Sequence, residues 1–336
     1  MMKSILTPIE DIGVTIISVN WKAGDITCDF LSSLFKLFEP SWYAVICENG
    51  SPDSSAAILR GFLKLRFSEV ARVTSNQNAI IYDYFEVESK ALRVSLVLST
   101  KNLGFAGGNN LALRSMHPKV NPEYYWFLNN DTEVEVNCLT ELRAKMLGDT
   151  SIGICGTTLL YAHQRDRVQA LGGARYLQLT GRLYEIAQGE SWPNNLSETA
   201  AESQMDYVAG ASMFVSADFL RIVGPMSEDY FLYFEELDWA QRARAAGFKL
   251  GYAKKAIVYH KEGAVLGSGK GVKRSALAEY YGLRNRIVVT RKFFPRALPT
   301  VYLFCWMQVA KRLLQGRWTR ARMMSAVLTG LRRSPP

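Results

Sequence analysis

The sequence predicts an α/β fold with a mostly parallel central sheet, helices on both of its faces and a basic helical region at the carboxyl end. Residues 1–160 alternate apolar runs of strand length with segments of helical spacing, which is the pattern of successive βαβ units. The run Val14–Asn20 is rich in β-branched residues and shows no polar alternation, as expected of a strand buried on both faces. No Asp or Glu follows Glu279, so the end of the chain differs in composition from the rest.

The other elements of the amino-terminal half each follow from a local pattern. Apolar residues at helical spacing predict a helix over 26–38. A second strand over 43–47 ends in a turn rich in Asn, Gly, Ser and Pro. The remaining predicted elements are a strand over 94–99, a glycine-rich turn and short helix over 104–114, a strand over 125–128 and a helix over 137–147.

Two stretches are less regular. Residues 54–93 are longer than one crossover requires, and 79–87 is interpreted as an extra strand or a hairpin without a functional role. Residues 165–205, rich in Gly, Gln and Asn, predict a surface excursion. Order returns with an apolar strand after Asp206, a turn at Gly224-Pro225 and a helix over 235–246. Three basic helices are predicted over 275–294, 298–314 and 318–332.

Composition and charge narrow the class of protein. The 336 residues suffice for a sizeable core, and 48% hydrophobic residues is ordinary for a globular protein. Residues 280–336 carry 12 Lys and Arg and no acid, a net charge of +12, whereas residues 1–279 carry 28 basic and 31 acidic residues, a net charge of −3. The basic excess therefore lies entirely in this tail. The five cysteines form no CxxC pair, which argues against a zinc ribbon or a disulfide framework. The start of the chain lacks the apolar stretch of a secretory signal, and no window reaches the roughly 18 apolar residues of a membrane span, so we expect a cytoplasmic protein.

The most informative run is YWFLNNDTEVE, at positions 125–135. A buried strand ends here in Asn129, Asn130, Asp131 and, two residues later, Glu133. Oxygen ligands at the carboxyl end of a parallel strand can hold a hard divalent cation beside a diphosphate. Taken alone, an Asn-Asp pair after a strand is more often a plain turn.

A second cluster of acids opens the helix predicted over 235–246. Glu235, Glu236 and Asp238 follow an aromatic approach formed by Phe231, Tyr233 and Phe234. Acids near a helix amino terminus complement the helix dipole, which is the simpler explanation. Burial among aromatic residues would instead raise the pKa of one carboxyl toward the range of a general base.

A third feature is His260, which ends an apolar strand and precedes a glycine-rich loop. This position makes it a candidate metal ligand. The loop at 263–274 fails the phosphate-loop pattern, because it has Ala264 and Gly271 where Gly and Ser or Thr are required. We interpret the loop as a basic lid over a diphosphate or, equally, as a solvated linker. The segment GFAGG at 104–108 is not a dinucleotide fingerprint, which disfavours a nicotinamide enzyme.

Taken in order, these segments resemble the family 2 glycosyltransferases, in particular their bacterial rhamnosyltransferase-like branch. The resemblance extends from about residue 13 to residue 269. The matching stretches are VTIISVNW, VICENGSPDSS, NLGFAGGNNLAL, YYWFLNNDTEV, VAGASMFVSADFLRIVGPMSEDYFLYFEELDWAQRARAAGFKLGYA and VYHKEGAVLGSG.

The resemblance implies a GT-A fold over residues 1–274, with a nucleotide-binding half at about 1–135, an acceptor half at about 136–274, and a basic helical region at 275–336. It implies inverting, metal-dependent transfer, with Mg²⁺ or Mn²⁺ on Asp131, Glu133 and His260. Glu236 matches the catalytic base and Asp238 its companion acid. The positions that match contacts to the nucleotide sugar are Val19, Asn20, Glu48, Asn102, Gly107, Asn110, Asn129, Asn130, Gly210, Ala211 and Arg242.

This chain departs from the family pattern at three of these positions. Glu48 and Glu236 stand where the family has Asp, and Asn129 replaces the first acid of the metal motif. Each Glu extends its carboxylate by one carbon–carbon bond, and a misplacement of about 1 Å is enough to impair catalysis. Asp131 is left as the main anionic ligand.

The implied partners are a dTDP- or UDP-sugar donor and a glycan or lipid-linked oligosaccharide acceptor. The uncharged run at 297–310, flanked by basic residues, predicts peripheral binding to an anionic membrane through 280–336. A packed helical subdomain with an exposed basic face is the alternative. No nucleic-acid motif is visible. A nucleotidyltransferase and a binding protein without transferase activity remain alternative functions.

Overall fold

The computed structural model describes residues 12–73, 79–87, 91–261, 275–331 and 334–335. Most of the amino-terminal segment and the loop interpreted as a lid therefore lie outside the described residues. The strands are β1 (Val14–Asn20), β2 (Trp42–Glu48), β3 (Phe67–Val73), β4 (Ala79–Glu86), β5 (Leu92–Ser99), β6 (Tyr124–Leu128), β7 (Thr132–Val134), β8 (Ile152–Tyr161), β9 (Gln164–Leu171), β10 (Gly173–Leu177), β11 (Arg182–Glu185), β12 (Tyr207–Val208), β13 (Ser212–Ser216) and β14 (Lys249–His260). The helices are α1 (Gly24–Leu34), α2 (Ser55–Lys64), α3 (Gly104–Arg114), α4 (Cys138–Gly148), α5 (Glu198–Glu202), α6 (Ala217–Val223), α7 (Glu235–Ala245), α8 (Ala276–Phe293), α9 (Leu298–Leu314) and α10 (Trp318–Leu328).

A large sheet runs through the molecule in the order β3-β4-β5-β2-β1-β6-β13-β8-β14-β7, with β9 paired to β8. The neighbours β5, β2, β1 and β6 are all parallel, and β8 and β14 are parallel as well. Between these two groups β13 runs antiparallel to both β6 and β8. The carboxyl ends of β1, β2 and β6 consequently meet at one edge, where ligands of such sheets bind.

Both faces of the sheet are buried, which explains why the central strands lack polar alternation. On β1, Ile16 packs into one apolar cluster, together with Phe30 of α1. The next residue, Ile17, packs into the other, together with Leu111 of α3. Successive side chains of a strand point to opposite faces, so helices are needed on each side to cover them. This arrangement confirms the predicted layers.

The structure corrects two expectations about elements. The first helix ends at Leu34, four residues before the predicted end. The stretch 165–205 is not a surface excursion, because β9 and β10 lie there, with Leu171 and Ala174 fully buried. The extra strand at 79–87 is confirmed as β4, which pairs antiparallel with β3 and β5.

The three predicted carboxyl-terminal helices are confirmed as α8, α9 and α10. They share an apolar cluster that includes Ile287, Val301 and Met324. The aromatic approach to α7 packs against this cluster through Phe231 and Tyr233. Across the described ranges, no helix combines the length and apolar character required to cross a bilayer.

Candidate active site

A buried polar network joins the carboxyl ends of β1, β2 and β6. The amide of Asn130 donates to Thr27 Oγ1 at 2.7 Å and lies 3.3 Å from Asn20 Oδ1. Thr27 donates in turn to Asn20 Oδ1 at 2.9 Å. On the neighbouring strand, Glu48 accepts from the backbone N–H of Ser51 at 3.0 Å and also bonds the Ser51 hydroxyl. The network brings predicted nucleotide-site residues from three strands to one point.

The glycine-rich turn before α3 is held against this edge by Asn49. Asn49 donates to the carbonyl of Gly104 at 3.0 Å and accepts from the N–H of Leu103 at 3.0 Å. Asn102, a predicted nucleotide contact, uses its Oδ1 to accept from the N–H of Gly104 at 2.8 Å. A Cβ at Gly108 would lie 2.8 Å from Val19 Cγ1, so the helix approaches β1 closely.

Two other predicted nucleotide contacts, Asn110 and Gly107, lie within α3. The amide of Asn110 donates to the carbonyl of Met226 at 2.9 Å and to Glu228 at 3.0 Å. A Cβ at Gly107 would meet the side chain of Leu103 at 2.8 Å. The structure therefore gives Asn102, Asn110 and Gly107 roles in fixing the turn and α3.

Asp131 and His260 meet although they are far apart in the sequence. Asp131 Oδ1 lies 3.0 Å from Nε2 of His260, and both side chains are buried. The other ring nitrogen, Nδ1, lies 2.9 Å from Oε1 of Gln169, an oxygen that can only accept. Burial opposes a charge on Asp131, yet His260 and Lys261 keep the pKa of its carboxyl below the ordinary value.

This pair fits one divalent cation. Two donors bound at about 2.1 Å in adjacent octahedral positions are about 3 Å apart, which matches the observed separation. The hydrogen bond from His260 Nδ1 to Gln169 orients the ring, as the second ring nitrogen of a metal-binding imidazole usually does by donating to an acceptor. Asn129 lies nearby, with its amide 3.5 Å from His260 Nε2.

Glu133 does not join the pair. Glu133 lies on β7 with its side chain partly exposed, and its carboxylate accepts a hydrogen bond from Arg165 at 2.5 Å. No group of three His, Cys, Asp or Glu positioned for a metal occurs in the ranges that the structure covers. A cation held by Asp131 and His260 would take its other ligands from water or a diphosphate, as Mg²⁺ commonly does.

Glu236 lies against the turn between β12 and β13. A Cβ at Gly210 would be 3.0 Å from Cδ of Glu236 and would collide with Oε1. The next residue of the turn, Ala211, accepts from the backbone N–H of Asn129 at 3.0 Å. One short turn therefore connects the Glu236 carboxylate to the Asn129–Asp131 segment.

The environment of Glu236 changes its acidity. Removal from water raises the pKa of Glu236 to about 7. The adjacent Glu235 is more deeply buried, and burial together with the charge of Glu236 raises its pKa well above the ordinary value. Oε2 of Glu235 has no hydrogen-bond partner within the described part of the chain. A carboxyl whose pKa is raised toward neutral pH is suited to general-base chemistry.

Asp238 and Arg242, the predicted companion acid and helical arginine, form an ion pair on α7. Asp238 is 0% exposed and accepts from the hydroxyl of Tyr230 at 2.9 Å, Nε of Arg242 at 2.7 Å and Nζ of Lys292 at 2.5 Å. Arg242 also donates to the carbonyls of Val223 and Pro225. These hydrogen bonds and ion pairs anchor α7 to the preceding segment and to α8.

The aromatic approach to α7 has an unusual backbone. Phe231, Tyr233 and Phe234 have φ of 61°, 70° and 75°, a region that residues other than glycine rarely adopt. Asn285 of α8 is fully buried, and its amide lies 2.7 Å from the carbonyl of Tyr230, 2.8 Å from that of Leu232 and 3.1 Å from that of Tyr233. Helix α8 therefore stabilises the bend that positions Glu236.

Several of these residues were missed in the sequence. Gln169 lies in the stretch interpreted as a surface excursion, and Lys292 and Asn285 lie in the basic tail. Thr27 lies in the predicted helix over 26–38, which was assigned from its apolar residues alone. Asn49 alone had a recognisable context, because it follows a buried strand directly, as Asn129 does.

The sequence was compared with family models and with known proteins. No family model matches the chain. In sequence it is similar to the low-salt glycan biosynthesis hexosyltransferase Agl10 of Haloferax volcanii, with 22% identity over 200 residues. That match covers 60% of this chain and 61% of the relative, so the similarity spans about three-fifths of each protein.

Two solved structures have a similar arrangement. One is the mannosyltransferase PcManGT of Pyrobaculum calidifontis in complex with GDP-Man and Mn²⁺, with TM-score 0.53, 13% identity, and coverage of 94% of this chain and 86% of that one. The other is TarS 1-349 of S. aureus in complex with UDP-GlcNAc, with TM-score 0.51, 14% identity, and coverage of 87% and 71%. The chain has a GT-A fold. The predicted fold class is thereby confirmed.

Proposed function

We propose that the protein is an inverting glycosyltransferase that uses a nucleoside diphosphate sugar. The observation that carries the proposal is the position of Glu236, a carboxyl with a pKa of about 7 against the turn that also contacts the Asn129–Asp131 segment. The similarity to a hexosyltransferase supports it, as do GT-A structures that hold GDP-Man and UDP-GlcNAc. The resemblance to the rhamnosyltransferase-like branch favours rhamnose as the transferred sugar.

In the proposed reaction, Glu236 takes the proton from an acceptor hydroxyl. The hydroxyl oxygen forms a bond to the anomeric carbon on the side opposite the diphosphate. The bond from that carbon to the phosphate oxygen breaks, the nucleoside diphosphate leaves with the electron pair, and the configuration is inverted. Burial and the charge of Glu236 raise the pKa of the adjacent Glu235 well above its ordinary value, which favours the neutral form of Glu235 beside the base.

Asp131 and His260 are the residues that would hold a divalent cation. When bound, Mg²⁺ or Mn²⁺ neutralises charge on the leaving diphosphate. Gln169 keeps the imidazole of His260 turned toward Asp131. Glu133 is the weakest member of the predicted set, because Arg165 already neutralises it.

The donor base would lie at the edge formed by Val19, Asn20 and Glu48. Thymine and uracil offer the same polar edge, so a dTDP-sugar and a UDP-sugar both fit. We propose a hydroxyl of a glycan or of a lipid-linked oligosaccharide as acceptor, in cell-surface polysaccharide assembly on the cytoplasmic side of the membrane. Within the basic helical region, α8 supports the bend before Glu236.

The test is incubation with a panel of sugar nucleotides and Mg²⁺ or Mn²⁺. One donor should release nucleoside diphosphate and should raise the melting temperature. Glu236→Gln should abolish transfer while it keeps that shift in melting temperature, because it removes the base and retains shape. Formation of a nucleoside triphosphate and a sugar 1-phosphate when pyrophosphate is added to the sugar nucleotide would indicate a nucleotidyltransferase. Binding without turnover by the wild type would indicate a binding protein. Wild-type turnover by Glu236→Gln would contradict the assignment of the base.

A further inference from the structure

The outer face of α9 is apolar although it lies at the molecular surface. Leu303 is 63% exposed, Met307 62% and Leu314 91%, and Trp306 is also exposed. The residues of α9 that face the helical cluster are Val301, Cys305 and Val309. Because a helix turns once in 3.6 residues, the exposed set forms one stripe on the side opposite the buried set.

The stripe is a concentration of apolar surface and not a scatter of single residues. Six large hydrophobic residues between positions 303 and 318 are exposed, the last being Trp318 at 68%. From Leu303 to Leu314 the stripe extends about 17 Å along the helix. Isolated exposed apolar residues are ordinary on protein surfaces, but a continuous patch marks an interaction site. We use "outer face of α9" for Leu303, Trp306, Met307 and Leu314.

Positive charge surrounds this face. Arg296 precedes α9, Lys311 lies beside the stripe, and Arg317 and Arg322 follow it. None of these four has a carboxylate partner among the residues described. The chain contains no acid after Glu279 that could neutralise them. The surface therefore combines exposed apolar side chains with uncompensated positive charge.

We infer that the outer face of α9 docks on an anionic lipid bilayer. Apolar side chains would enter the boundary between headgroups and acyl chains, while the surrounding Lys and Arg contact lipid phosphates. A second copy of the chain is a poorer occupant, because two net-positive tails would meet face to face. Nucleic acid would match the charge and leave the apolar stripe in water.

This inference goes beyond sugar transfer and does not depend on it. It adds a location for the active site, because α9 packs on α8 and α8 holds the bend before Glu236. A protein docked in this way would work beside acceptors that are carried by lipids.

The test is co-sedimentation of the full chain with vesicles of phosphatidylcholine, with and without phosphatidylglycerol. Only the anionic vesicles should carry the protein down, and added salt should release it. The double variant Leu303→Asn with Met307→Asn should bind at least about tenfold more weakly. Its control is Leu65→Asn with Phe38→Asn, two residues that are 87% and 81% exposed far along the chain from the tail.

Charge is tested separately from apolar contact. Lys311→Gln should weaken binding about fivefold, since one basic residue near the surface contributes about that factor. Lys36→Gln, on an exposed lysine of the amino-terminal half, should have no effect. Both substitutions alter surface side chains, and an unchanged melting temperature verifies the fold.

Three results would overturn the inference: no binding to anionic vesicles, equal binding to vesicles of phosphatidylcholine alone, or equal loss in the double variant and its control. A dimer in lipid-free buffer that Leu303→Asn with Met307→Asn dissociates would identify a second copy as the occupant instead. Nucleoside diphosphate release, measured without vesicles, shows independently whether the proposed transfer stands.

Discussion

Substitution of Gly210 by alanine tests the position of the base from the geometry of the turn. The added Cβ would lie 3.0 Å from both Cδ and Cγ of Glu236 and closer still to Oε1. Ordinary contact between carbon atoms needs about 3.5–4.0 Å, so the carboxylate must retreat by about 1 Å. A displacement of that size costs roughly 100-fold in rate when it affects a reacting group. We expect kcat of Gly210→Ala to fall by about that factor.

The assay is steady-state release of nucleoside diphosphate, with the affinity for the nucleotide measured by calorimetry. The affinity should change little, because Asn20 and Glu48 lie on other strands. Gly61→Ala is the matched control, since nothing lies within 4 Å of a Cβ at Gly61 in α2. If Gly210→Ala keeps kcat within about twofold of the wild type, Glu236 does not act from the position described here.

Three further predictions concern protonation, support of the bend and the metal pair. The pH–rate profile should rise through about pH 7. At pH 6, kcat should be near a tenth of its plateau, because only about a tenth of Glu236 is then ionised. A flat profile from pH 5 to 8 would indicate an ordinary carboxylate. Asn285→Ala should lower the free energy of unfolding by about 3 kcal/mol in a denaturant titration, because the buried carbonyls of the bend lose their donor. The control Asn195→Ala, at the surface, should change it little. Equal stability of the two variants would contradict the role of α8. Gln169→Leu should weaken Mn²⁺ binding about 10- to 100-fold. Binding is measured by electron paramagnetic resonance with nucleoside diphosphate present, and an unchanged affinity would show that His260 is not a ligand.

The layers of the sheet could be predicted because they depend on local composition. Five of the seven residues of Val14–Asn20 are β-branched, as is typical of a strand between two helical layers. The stretch 165–205 was misinterpreted because its glycines resemble loop composition. A Cβ at Gly156 would collide with the carbonyl of Gly172, and a Cβ at Gly173 with that of Tyr207. These glycines permit backbones to approach inside the sheet, which composition alone does not reveal.

The candidate site could be predicted where a residue lies at or just after the end of a strand. His260 is the last residue of β14, Asp131 lies between β6 and β7, and such strand ends meet at one edge of a sheet. Asp238 could not be separated from Glu236 in this way, because only the fold shows that Lys292, more than fifty positions later, neutralises it. A shift of two positions along α7 decides whether a carboxylate faces the turn at Gly210 or the interior.

The central claim is that Asp131, His260 and Glu236 line one cleft. Anomalous scattering from a crystal grown with Mn²⁺ and a nucleoside diphosphate tests it most directly. We predict a manganese peak bonded to Asp131 and to Nε2 of His260, with the diphosphate between the metal and the Glu236 carboxylate. A peak away from Asp131, or a diphosphate bound on a face of the protein remote from Glu236, would contradict the account.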